Sequence, residues 1–163
     1  MILGLSTLAF TLLHVILSLA GISAGFIVVL GLMDGELLPR WTVFFLATTI
    51  LTNVSGFLFP FKGVTPGIVL GVLSTIALLV AIVALYGKKL SGGWRGSFVI
   101  TTCLALYFNV FVLIAQLFAK APALKAIAPA PTSPVFGATQ LVVLAAFIFL
   151  TMRTLKGFRP EAD

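Results

Sequence analysis

Apolar residues run through this chain in five long blocks, and charge is almost confined to the gaps between them. A helix rising ~1.5 Å per residue needs about 20 mostly apolar residues to cross a hydrocarbon layer ~30 Å thick. The blocks at roughly 5–32, 41–59, 66–87, 96–119 and 134–152 meet or approach that length. They predict an all-α polytopic membrane protein: a five-transmembrane-helix bundle forming one integral membrane domain over residues 1–163.

The gaps carry helix stop and start signals. Asp34-Gly35-Glu36 ends the first block, and Pro39 with Arg40 opens the second. Pro60-Phe61-Lys62-Gly63 reads as a tight turn, after which Thr65-Pro66 supplies an N-cap and a proline at the first helical position. Lys88-Lys89 and Ser91-Gly92-Gly93 break the chain before the fourth block. The longest linker, Lys120 to Ser133, holds Pro122, Pro129 and Pro131 and has room for a short interfacial helix around Leu124 and Ile127. Ser133-Pro134 repeats the cap-plus-proline signal, and the tail with Arg153, Lys156, Arg159, Glu161 and Asp163 is expected to fray. A four-span alternative would lay the second or fifth block, the two shortest, in the membrane interface.

Composition agrees with lipid as the solvent. Only 9% of residues are charged, against about 25% in soluble domains. A chain this small has too little interior to hide 61% hydrophobic residues from water. The first block lacks a basic leader, and its apolar run is about twice the ~7–15 residues of a signal peptide, so it reads as a retained span. Net charge is +6, but the basic residues lie in short loops beside the apolar blocks, where they set orientation and meet lipid head groups. Nucleic acid is not an expected partner. Seven basic residues (Arg40, Lys88, Lys89, Arg95, Arg153, Lys156, Arg159) fall on one side, against Lys62, Lys120 and Lys125 on the other. The positive-inside rule then predicts an exported N-terminus, a cytoplasmic C-terminus, and Trp41, Tyr86 and Trp94 near the inner interface.

Chemistry-bearing residues are few. No carboxylate, lysine or arginine lies within a block, which removes paired-carboxylate catalysis and the usual proton relays. His14 is the one candidate left for a titratable relay. It shares a helix face with Ser18, Gly21 and Gly25, so it should meet other helices, most simply as a neutral imidazole bonded to a neighbour. One histidine cannot supply two axial haem ligands within a chain, and no cofactor or metal is expected. Gly21-Ile22-Ser23-Ala24-Gly25 matches the nucleophile-elbow pattern but lies inside a helix rather than a strand–turn–helix. Cys103 stands alone in an apolar run and reads as a small core residue. Gly67 and Gly71 add a small-residue packing face to the third block. By depth, His14, Asn53, Gln116 and Gln140 fall toward the exported side and Asn109 near the middle, which predicts a polar cluster open to that side.

Three stretches carry a resemblance: Gly56-Phe57-Leu58-Phe59-Pro60-Phe61 with Gly63-Val64-Thr65-Pro66, then Gly92-Gly93-Trp94-Arg95, then Leu106 to Leu113 running on to Gln116. Over about residues 48–140 the chain resembles a family of small bacterial polytopic inner-membrane proteins with no established activity. The resemblance implies a multi-pass protein of the cell inner membrane and no mechanism. The functional expectation is a non-enzymatic accessory, assembly or scaffold subunit of a membrane complex. Its partners would be the lipid bilayer and, through apolar faces, other membrane proteins or a second copy. The rivals are a small transporter or channel for a neutral solute, using the polar cluster, and a redox, quinone- or haem-linked protein using His14.

Overall fold

The computed structural model describes residues 1–60, 63 and 65–159. The expected turn around Phe61 and Lys62, Val64 of the resemblance, and the acidic tail residues Glu161 and Asp163 lie outside the described residues.

The helices are α1 (Thr7–Met33), α2 (Pro39–Phe57), α3 (Pro66–Ile82), α4 (Trp94–Lys120), α5 (Pro122–Ile127) and α6 (Pro134–Gly157). Ser6 caps α1 by accepting from the Ala9 N–H, and Thr65 caps α3 by accepting from Ile68. Past Ile82 the chain continues through a π-helical turn, Val83–Gly87, closed by the Lys88 N–H on the Val83 carbonyl at 2.8 Å. Lys89 and Leu90 then take left-handed conformations, φ 48° and 58°, which turn Leu90 back onto the core. The six-residue α5 fills the place expected for a short interfacial helix. α6 runs five residues beyond the expected 152, because Arg153 and Lys156 carry long stems that leave their charged heads exposed without ending the helix.

Among the described residues, four segments are long and apolar enough to cross a membrane: α1, Pro66–Gly87, α4 and α6. α2 falls short of them. Its 19 residues include Arg40, four threonines, Asn53 and Ser55.

α1 and α2 form an antiparallel hairpin in continuous register. Gly31 faces Leu38, Gly25 faces Phe45 and Gly21 faces Thr49; His14 bonds Ser55, and Phe10 meets Phe59. α3 lies antiparallel to α2, with Gly71 against Phe57 and Ser74 bonded to Asn53. α6 lies antiparallel to α4 from Gly96–Leu155 through Tyr107–Phe147 to Phe118–Phe136. Its buried residues, Gln140, Phe147 and Thr154, recur every seven positions, as a single coiled-coil seam does.

The C-termini of α1 and α6 and the N-terminus of α4 gather at one end of the bundle. Arg95 donates through Nη1 to the Leu155 carbonyl at 3.2 Å and to the Phe158 carbonyl, closing the last turn of α6 with a cation. Gly157 sits directly on the Met33 carbonyl of α1. The apolar core fills this Arg95 end, where Val28, Val29 and Leu32 meet Phe45, Leu78, Ala81, Phe98, Leu106 and Phe158. The opposite end, which holds His14, is tied by polar and aromatic contacts instead.

A methyl group on Gly157 would collide with Met33 backbone, whereas Gly137 has open space around it. Gly157→Ala should therefore cost about 1–3 kcal/mol as an overpacked contact. Gly137→Ala should stay within about 0.5 kcal/mol of wild type. Steric-trap unfolding in bicelles checks the contrast, and equal costs would contradict the docked end.

Candidate functional site

The polar residues expected to form one cluster are distributed over separate helix joints. His14, half-buried on α1, places Nδ1 2.8 Å from Ser55 Oγ on α2. The Ser55 hydroxyl donates its own hydrogen to the Thr52 carbonyl at 3.0 Å. With its hydrogen on Thr52, Ser55 accepts from a ring protonated at Nδ1; in the other tautomer the hydroxyl donates to Nδ1 instead. Phe59 packs edge-on against the imidazole with centroids 5.4 Å apart, and Gly56 leaves room for the ring edge, its Cβ position being 3.5 Å from Cε1.

Asn53 forms the second joint. Its Nδ2 donates to Ser74 Oγ at 3.1 Å and Thr75 Oγ1 at 3.2 Å, tying α2 to α3. Gln140 forms the third: Nε2 donates to the Phe111 carbonyl at 3.1 Å, tying α6 to α4, while Oε1 is buried without a partner. Asn109 is 7% exposed, and its Nδ2 has no partner. Gln116 is exposed, near the far end of α4. Seven-residue spacing does place Thr102 and Asn109 on one buried stripe. Gln116, one heptad further on, is exposed although α6 still meets α4 at Phe118.

The small residues divide in the same way. Gly21 and Gly25 are buried where α1 meets α2, and a Cβ at Gly25 would stand 2.6 Å from Leu106 Cδ1 and 2.9 Å from Phe45 Cε2. A Cβ at Gly71 would stand 3.1 Å from the Phe57 ring. Gly67 is exposed, and among the described residues only Thr65 comes within 4 Å of its Cβ position. Sequence reasoning passed over two features. One is the Arg95 clasp on α6, because Arg95 was counted only as an orienting charge. The other is that Thr42, Thr49 and Thr102, which share helix faces with Asn53 and Asn109 and would be expected to bond neighbouring helices, are buried with hydroxyls that find no partner.

No known protein family, curated protein or solved structure matches the chain. The likeness over residues 48–140 accordingly lends no mechanism, and the chemistry must be read from the side chains. Among the described residues, no three of His, Cys, Asp and Glu come together. The arrangement offers interhelical donors and acceptors, a half-buried imidazole behind a phenyl ring, and an apolar outer surface.

A double-mutant cycle on His14→Ala and Ser55→Ala, read by unfolding in bicelles, should return a coupling of about 0.6 kcal/mol, with ~1.7 kcal/mol as the upper end for such bonds. Zero coupling would contradict the assigned hydrogen bond.

Proposed function

We propose that the chain is a five-span membrane protein, N-terminus exported and C-terminus cytoplasmic, that serves as an accessory, assembly or scaffold subunit of a membrane complex. The observation that carries this reading is the reversed polarity of α2. Every exposed position from Trp41 to Phe57 is apolar, including Val43, Phe44, Ile50, Leu51 and Val54. Six of its eight buried residues are polar: Thr42, Thr48, Thr49, Thr52, Asn53 and Ser55. A helix lying in the interface would turn its polar face to water. This one turns that face to the other helices, as a span surrounded by lipid must.

Two further features support five crossings. The hairpin register keeps α2 beside α1 from Gly31 to Phe10, about 30 Å of helix. α3 also runs parallel to α1, since each lies antiparallel to α2, so the chain between them has to return through the layer. The seven basic residues counted for the cytoplasmic side then share the Arg95 end of the bundle, where Lys88 Nζ lies 5.6 Å over the Trp94 ring. An inner-membrane location follows from the resemblance alone.

The subunit role is supported by what the polar groups do. His14, Asn53 and Gln140 are all engaged in helix-to-helix bonds. α6 buries few residues of its own and presents Leu141, Val142, Ile148 and Phe149 to its surroundings.

In a Cys103→Ser background, a membrane-impermeant maleimide applied to intact cells should label Ser6→Cys and Thr132→Cys, and should reach Ser91→Cys only after permeabilisation. Labelling of all three from one side would contradict the topology. Mild-detergent isolation from native membranes should bring a stoichiometric partner, and a chain that runs alone would contradict the subunit role.

A further inference from the structure

Most threonines in these helices satisfy their hydroxyls locally. Thr48, Thr52, Thr101, Thr151 and Thr154 each donate to the carbonyl one turn back, at 2.7–2.8 Å. Thr42, Thr49 and Thr102 do not, although all three are essentially fully buried. Asn109 joins them with an unpartnered Nδ2. Buried hydroxyl and amide groups are nearly always bonded, to protein or to ordered water.

These four residues are not scattered. Phe45 of α2 and Leu106 of α4 both reach Gly25 of α1, which places them at one level of the bundle. α2 and α4 both rise from the Arg95 end, because each begins beside the C-terminus of α1 or α6. Thr49 and Asn109 each follow that level by one helical turn, and Thr42 and Thr102 each precede it by one turn. Spacings of three and four keep all four on the faces that carry Phe45 and Leu106 inward. Unpartnered polar groups on α2 and α4 therefore lie one turn above and one turn below the Phe45–Leu106 level, with Thr49 set against Gly21 of α1.

We propose that the bundle interior binds water in two layers, one between Thr49 and Asn109 and one between Thr42 and Thr102, kept apart by Phe45 and Leu106. The ligand is neutral and water-sized. The layers offer hydroxyls and a carboxamide but no charge to balance an ion. Hydroxyls can donate and accept, which suits water and small hydroxylic molecules. The phenyl and isobutyl groups seated on Gly25 form the seal, as apolar constrictions do when they exclude water from a narrow path. This goes beyond the subunit reading, and a closed hydrated axis is compatible with it.

The test uses the full chain in lipid bilayers. Water-edited solid-state NMR should show rapid magnetisation transfer from water to the Asn109 carboxamide and to the Thr49 and Thr102 methyls, and slow transfer to Leu78 and Val99. Transfer to the polar layers as slow as to Val99 would overturn the proposal, whatever the variants do. Stopped-flow shrinkage of proteoliposomes should show little water permeation for the wild-type chain and a several-fold rise for Leu106→Ala or Phe45→Ala. Hydrated layers with unchanged permeability in a folded variant of either kind would overturn the seal. A variant that does not fold leaves the wild-type NMR result to decide.

Discussion

Lipid offers a polar group nothing to bond, so the polar side chains of apolar helices are driven toward the inside of the bundle. The α1–α2 hairpin is the clearest consequence. Gly21 and Gly25 let α2 approach closely, and that approach hides the threonine-rich face of α2. Without the two glycines, Thr48 and Thr49 would be held away from α1. Their nearest approach to a Cβ at Gly21 is already 3.2–3.3 Å. The rest of the packing builds on this pair: α3 on the Asn53 side of α2, and α4 against Gly25 through Leu106.

The two ends of the bundle are stabilised by different forces. The Arg95 end has a core rich in valine, leucine and phenylalanine, closed by the Arg95 clasp and by Gly157 on Met33. The His14 end relies on three hydrogen-bonded joints and on aromatic edges such as Phe10–Phe59, at 5.1 Å. Hydrogen bonds between membrane helices contribute only ~0.6 kcal/mol on average. Helix position at the His14 end is therefore set mainly by shape, with the bonds selecting the register.

Much of this was legible in the residues. The cap-plus-proline signals marked the starts of α3 and α6, and Gly21, Gly25 and Gly71 announced close contacts that the structure contains. Depth along the helices assigned His14, Asn53 and Gln140 to one side of the layer. It could not say that each would find a different partner, because the direction of a side chain around the bundle depends on which helices are neighbours. Gln116 shows the same limit: its depth suggested a place in the cluster, but its side chain is exposed. The hydropathy of α2 does not record which of its faces is buried. A threonine scores as polar whether it meets water or another helix, and only the burial pattern separates the two cases.

The most direct measurement is a nitroxide scan along α2 in a Cys103→Ser background, reading collisions with dissolved oxygen and with a water-soluble nickel chelate. If α2 is a lipid-surrounded span, oxygen should dominate at Val43, Ile50 and Val54, with depth greatest near Ile50, and both reagents should be excluded at Thr49 and Asn53. Nickel collisions exceeding oxygen at those outward positions, or a constant shallow depth along the helix, would place α2 at the membrane surface and dismantle the five-span bundle.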